Sequence, residues 1–167
     1  GIHYNDIEIG SIVYATHDAL KEPEPFDIYK KSAPIEGRVT FYAHHISYRL
    51  NEVVVRPFSM LGTAGEALNA LKTNAVNTCG FTFFSDKATR LTYTVKQPDT
   101  LRHLLGGVQG SILDVYGTGE YEFRKFRVDF WLHRGRQCNY CNNYTCHDIF
   151  NTLCFCVCFH NRKQLWF

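Results

Sequence analysis

Cysteine and histidine are the residues in this chain whose spacing speaks most directly to chemistry. Six of the seven cysteines, Cys138, Cys141, Cys146, Cys154, Cys156 and Cys158, crowd into the closing stretch RGRQCNYCNNYTCHDIFNTLCFCVCFHNRKQLWF, and Cys79 stands alone in the body. Cys138-x-x-Cys141 is a proper first half of a zinc site, and Cys146 or His147 could add ligands. No second Cys-x-x-Cys or His-x-x-x-His completes the set. In CFCVCFH, the residues Cys154, Cys156, Cys158 and His160 would share one face of a strand. Same-face neighbours stand roughly 6.5 to 7 Å apart, too wide for one tetrahedral ion and poor for disulfides. The tail therefore reads as a segment outside the fold, with opportunistic thiol chemistry as the alternative. No metal ligand is assigned.

The remaining candidates weaken in the same way. His44 and His45 are adjacent, so a regular strand points them to opposite faces and one ion cannot take both. Packing or hydrogen bonding is the expected use of each. Cys79 could be a nucleophile with a histidine base, but TCGFTFF is an apolar setting that predicts a buried, inert thiol. GGVQGS could cradle a phosphate through its amides, yet it lacks the Lys-Ser/Thr of a P-loop. Its glycines read as a sharp link between helices. Asp86, Asp99 and Asp114 stand at turns and helix starts, where carboxylates cap amides, and no two of them form an acid–base pair. No catalytic or cofactor-binding residue is assigned, no cofactor is expected, and this segment is not expected to be an enzyme.

Bulk properties narrow the partners. The 18 Lys and Arg nearly balance 16 Asp and Glu, without the concentrated basic excess of a phosphate-neutralising protein. Arg124, Lys125 and Arg127 read as the solvated face of a strand. No specific nucleic-acid binding is expected, and no signal peptide or membrane span is apparent. The chain opens on Gly1, as an internal piece of a longer protein would. One cysteine in the body fits synthesis in a reducing compartment. The 13 Phe and 10 Tyr favour β-structure.

The elements that must position these residues follow from pattern. Residues 1–37 read as short extended pieces between loops, with Pro23, Pro25 and Pro34 breaking KEPEPFDIYKKSAP. GRVTFYAHHISYRL is a strand candidate with Val39, Phe41, Ala43 and His45 on one face. GTAGEALNALKTNAV is the clearest helix: Thr63 and Glu66 have capping-box spacing, and Ala64, Ala67, Leu68, Leu71 and Ala75 form one apolar stripe. That stripe is expected to pack on the chain's own sheet, with a partner subunit as the alternative. CGFTFFSDKATRLTYTV predicts a hairpin about SDKATR. Asp99 would cap a second helix ending at Gly106-Gly107, and Ser111 with Asp114 would open a third, closed by Gly117. In EYEFRKFRVDFWLH the apolar phase switches from odd to even positions, which predicts a tight turn or bulge near Arg124-Lys125. The class expected is α+β, hairpins with short interspersed helices.

In this order and spacing, FYAHHISYRL, GEALNALKTNAV, FTFFSDK, LRHLLGGVQGSILDVYGTGEYEF and LHRGR resemble the phage minor structural, or prophage endopeptidase tail, proteins. The stretch LLGGVQGSILDVYGTGEYEF is the most specific, and the matching blocks span roughly residues 9–136. The resemblance implies a baseplate-hub-like fold over residues 1–136 and a structural role in the virion. It implies a homo-oligomer, a homotrimeric ring at the tail tip, with itself and neighbouring phage tail proteins as partners. Synthesis would take place in the bacterial host cytoplasm. The family name also raises a peptidoglycan endopeptidase, although no lytic region falls in this segment. A small zinc-binding interaction module is the further alternative.

Two departures stand out. Arg124-Lys125 replaces the Asp-Asn type of pair at which the family's hairpin turns. After LHRGR the family pattern continues with an Asp and a β-rich segment, whereas residues 137–167 match nothing in it. A shifted reading frame or a truncated prophage gene would produce that break. The coding DNA around codon 137 tests it, and the idea fails if neither other frame yields the family continuation.

Overall fold

Strand pairing divides the molecule before its helices do. A computed structural model describes residues 7–16, 22–33 and 39–132. They belong to two compact units that divide between Tyr48 and Arg49, inside the expected 1–136 body. The expected boundary at Gln137, the cysteines beyond it and most of LHRGR lie outside the described residues.

The first unit is an antiparallel sheet in the order β1 (Ile12–Ala15), β2 (Glu24–Lys31), β3 (Phe41–His45). β2 overturns the expectation that prolines reduce this region to short pieces. Pro23 precedes it, and Pro25 pairs with Tyr14 of β1 while the β3 register begins only at Phe26↔His45. The residue without an N–H therefore falls where β2 has a neighbour on one side alone. A register irregularity between Ile28 and Lys30 then marks a bulge at Tyr29.

A 3-10 turn, Ile46–Asn51, leads into the second unit. There β4 (Val54–Val55) pairs with β8 (Asp99–Thr100), and β5 (Phe58–Gly62) pairs with β7 (Leu91–Val95). β6 (Thr82–Ser85) runs parallel to β10 (Arg127–Trp131), whose other neighbour is the antiparallel β9 (Glu120–Arg124). The expected hairpin about SDKATR is thus not a hairpin. Both its runs are strands, but β6 and β7 belong to different sheets. Partner choice was decided by distant β10 and β5, which no local pattern encodes.

The helices α1 (Ala64–Thr73), α2 (Leu101–Leu105) and α3 (Ile112–Tyr116) are short. Thr63 and Glu66 form the expected capping box, the Thr63 amide donating to the Glu66 carboxylate at 2.7 Å. Ala64, Ala67, Leu68 and Leu71 are buried, with α1 packed against β6. Ala75 falls past the helix end, in an isolated bridge to Val55. Full burial of each larger apolar side chain contributes roughly 1.5–3 kcal/mol. Asp99 does not cap α2: Thr100 does, its hydroxyl facing the His103 amide. Asp99 instead accepts from the Thr100 amide at 2.7 Å. α3 opens at Ser111 and stops at Gly117, where φ is +78°. The phase switch at residues 124–127 is a tight turn: Arg124↔Arg127 closes β9 onto β10, and Lys125 takes φ +50°. Strands with a few short helices make the class α+β.

Candidate functional site

The densest set of functional side chains is one that residue spacing hid. Ser85 ends β6, Asp86 and Lys87 follow it directly, and each closes onto a different piece of main chain. The Ser85 hydroxyl donates to the Phe130 carbonyl at 2.7 Å, and the Asp86 carboxylate accepts from the Leu132 amide at 2.7 Å. The Lys87 ammonium reaches the α3–β9 turn. It donates to the carbonyls of Tyr116 (3.0 Å) and Gly117 (3.1 Å), and to that of Thr118. The Phe130 ring lies beneath it, 4.6 Å from Nζ. Only 7% of Lys87 is exposed. Burial pushes its ammonium below the ordinary lysine value, and Asp86 beside it pulls the other way. Three neutral acceptors offset much of the cost of burying that charge.

The first unit carries two polar and aromatic clusters, one on each face of its sheet. On one, Glu24, His45 and Ser47 form a chain. His45 Nδ1 lies 2.9 Å from the Ser47 hydroxyl and receives the Ser47 amide at 3.2 Å, while Nε2 faces Glu24 Oε2 at 3.5 Å. The order acid, imidazole, hydroxyl is that of a hydrolase triad. Ser47 is 0% exposed, however, so its oxygen is closed to a substrate. The chain satisfies buried polar groups at the exit of β3. On the other face the bulge turns Tyr29 toward β3. Its ring stacks on His44 at 5.1 Å and 15°, and His44 stacks on Tyr48 at 4.9 Å and 29°. Lys30 lies over Tyr42, 5.1 Å from the ring centre. The two histidines thus point oppositely, as expected, and each is packed or hydrogen-bonded.

The other sequence candidates fall where structural roles place them. Cys79 is buried. In GGVQGS the positive φ of Gly107 (+96°) and Gly110 (+80°) makes the link between α2 and α3, and the Gly110 amide donates to Asp114 at 2.7 Å. Arg124, Lys125 and Arg127 are exposed, and Arg127 donates to Asp129 two residues along β10 at 2.7 Å. Among the described residues, no group of three or more His, Cys, Asp or Glu is placed to hold a metal ion. None of their helices is long and apolar enough to cross a membrane.

Three tyrosines of the second unit are held neutral. Burial raises Tyr93, Tyr116 and Tyr121 above the ordinary phenol value. Tyr116 donates to the Gly62 carbonyl at 2.9 Å and Tyr121 to that of Leu105 at 2.8 Å. Sequence reasoning missed these contacts and the 85–87 clasp alike. The usable signal was a polar triplet, SDK, set directly after the apolar run FTFF. Comparison with protein-family models, with curated proteins and with solved structures found no match to this chain.

Proposed function

We propose that the chain is the hub region of a phage or prophage tail-tip protein, a structural component that acts by assembling with copies of itself at the end of the tail tube. One observation carries the reading. The stretches GEALNALKTNAV, FTFFSDK and LLGGVQGSILDVYGTGEYEF, far apart in the chain, interlock in one unit. α1 packs on β6, and Ser85, Asp86 and Lys87 close onto the α3–β9 turn and β10. Blocks that carry the resemblance thus build a common scaffold, as parts of one inherited body would.

Assembly is the activity this scaffold favours. β5 and β7 have only each other as strand partners among the described residues, and β6 and β9 are sheet edges. Open edges and a rigid, cross-tied body suit association by rotational symmetry. Sedimentation and native mass spectrometry of the chain test the reading, with a homotrimer as the expected species. A monomer at concentrations of tens of micromolar, or lysis of cell-wall peptidoglycan in a zymogram by this chain alone, overturns it.

A further inference from the structure

We propose that the carbonyls of Tyr116, Gly117 and Thr118 form a cation site of the fold, filled by the ammonium of Lys87, so that the turn entering the β9–β10 hairpin is a latch closed by positive charge. Donors and acceptors match here whether or not the chain is a tail-tip protein. Three carbonyl oxygens converge on Nζ. Three acceptors need three N–H donors, which an ammonium has and a neutral amine lacks. The remaining side of the site is the π face of Phe130, which also favours a cation. All four contacting partners are neutral; the Asp86 carboxylate stands beside the ammonium and favours its charge, but accepts its own hydrogen bond from the Leu132 amide.

The backbone explains why a cation is needed here. Tyr116 ends α3, and its carbonyl has no helical amide to receive. Gly117, at φ +78°, turns the chain so that the next two carbonyls share that partner. The turn is then pressed against β10: a Cβ added at Gly119 would lie 2.5 Å from the Phe130 ring and 2.7 Å from the Trp131 carbonyl. With the ammonium gone, the three carbonyls would face one another without a donor, the buried one of Tyr116 with no water at hand, and the turn would lift from β10 to reach it. β10 is itself held by β6 on its other side, so the latch can open while the rest of the unit stays folded.

The proposal predicts a binding site for a free cation. Lys87→Ala deletes the outline of n-propylammonium, so that ion should refill the cage. Amide hydrogen exchange over residues 117–124 is the readout. Lys87→Ala and Lys87→Met should each speed exchange there by at least about tenfold while leaving the α1 amides protected. Saturating n-propylammonium should restore Lys87→Ala, and neither 1-propanol nor tetramethylammonium should do so. Protection as good in Lys87→Met as in the native chain, or equal rescue by all three compounds, overturns the latch. A measurement on the native protein guards against a variant that does not fold. Lysine ¹⁵N spectra should show one slowly exchanging ammonium with couplings through hydrogen bonds to the carbonyl carbons of residues 116–118. A Lys87 ammonium that exchanges as fast as surface lysines sinks the proposal.

Discussion

The two units use tyrosine in opposite ways. In the first, Tyr14, Tyr29 and Tyr48 are 62%, 51% and 50% exposed, and Tyr29 and Tyr48 stack on His44 in the open. In the second, Tyr93 and Tyr116 are buried, and Tyr116 and Tyr121 donate their hydroxyls to main-chain carbonyls of other elements. Connectivity explains the difference. The first sheet is made of consecutive strands whose ladders satisfy one another, so its exposed tyrosines are spare, while Phe41 packs in its core. The second joins strands far apart in sequence, and side chains must tie the ends: Ser85, Asp86, Lys87, Tyr116 and Tyr121 all bond to backbone. An exposed tyrosine ring of the first unit should therefore be worth little to stability, and a buried, tied ring of the second much.

Truncation of one ring in each unit is the strongest way to break that contrast. Phe130 is fully buried, stacks on Tyr121 at 4.6 Å and floors the Lys87 site. Phe130→Ala should cost about 3–5 kcal/mol, and Tyr29→Ala less than about 1 kcal/mol. Urea unfolding followed by hydrogen exchange assigns each loss to its unit. Comparable losses for the two variants would mean that the exposed stack is as structural as the core.

Alkali sharpens the same contrast. The folded values of Tyr93, Tyr116 and Tyr121 lie above the ordinary 10.0, so the folded state keeps protons that the unfolded chain releases. Their contribution is whole below pH 10.0 and is lost as pH rises beyond it. Phenolate absorbance from these three rings should appear together with the loss of folded circular dichroism. Tyr121→Phe should remove amplitude from that unfolding step alone. Ionisation of Tyr121 in a chain that remains folded would contradict the hold of the Leu105 carbonyl on its hydroxyl.

Local features were legible in the sequence and long-range ones were not. The α1 capping box, the Ser111 cap, the Gly117 stop and the turn at Arg124-Lys125 each depend on residues within one turn of chain. Their residue types dictated them. The 81–95 segment reads as a hairpin because both halves are good strands, but β6 and β7 found distant partners. Pro25 looked like a breaker because sequence does not reveal which side of a strand is unpaired. Lys87 looked like a turn residue, since its carbonyl partners lie 29 to 31 positions away. No periodicity marks a lysine that will be buried.

A smaller change tests whether every hydroxyl in the second unit serves a tie. Tyr93 is fully buried and packs on Phe58 and Tyr116, yet its hydroxyl has no hydrogen-bond partner among the described residues. Burying an oxygen unbonded costs free energy that a phenylalanine avoids. Tyr93→Phe should raise stability by up to about 1 kcal/mol, seen as a higher midpoint in thermal unfolding. A clear loss instead would mean that the hydroxyl is hydrogen-bonded after all.

The smallest effect concerns the surface of α1. The Glu66 carboxyl is held below its ordinary 4.5, chiefly by the Thr63 amide and secondarily by Arg90, whose guanidinium lies 3.2 Å away. A lowered folded value means that its contribution is present above pH 4.5 and is lost as pH falls through that lower value. The group is exposed, so the ion pair adds little and salt weakens it further. The capping bond is the part that should respond. Exchange of the first α1 amides should therefore quicken as pH falls below 4.5, after correction for the intrinsic rate. Glu66→Gln keeps an acceptor at the third helical position and should flatten that response while leaving the helix in place. An undiminished acid response in Glu66→Gln would locate the titrating group elsewhere and leave the cap without a role in it.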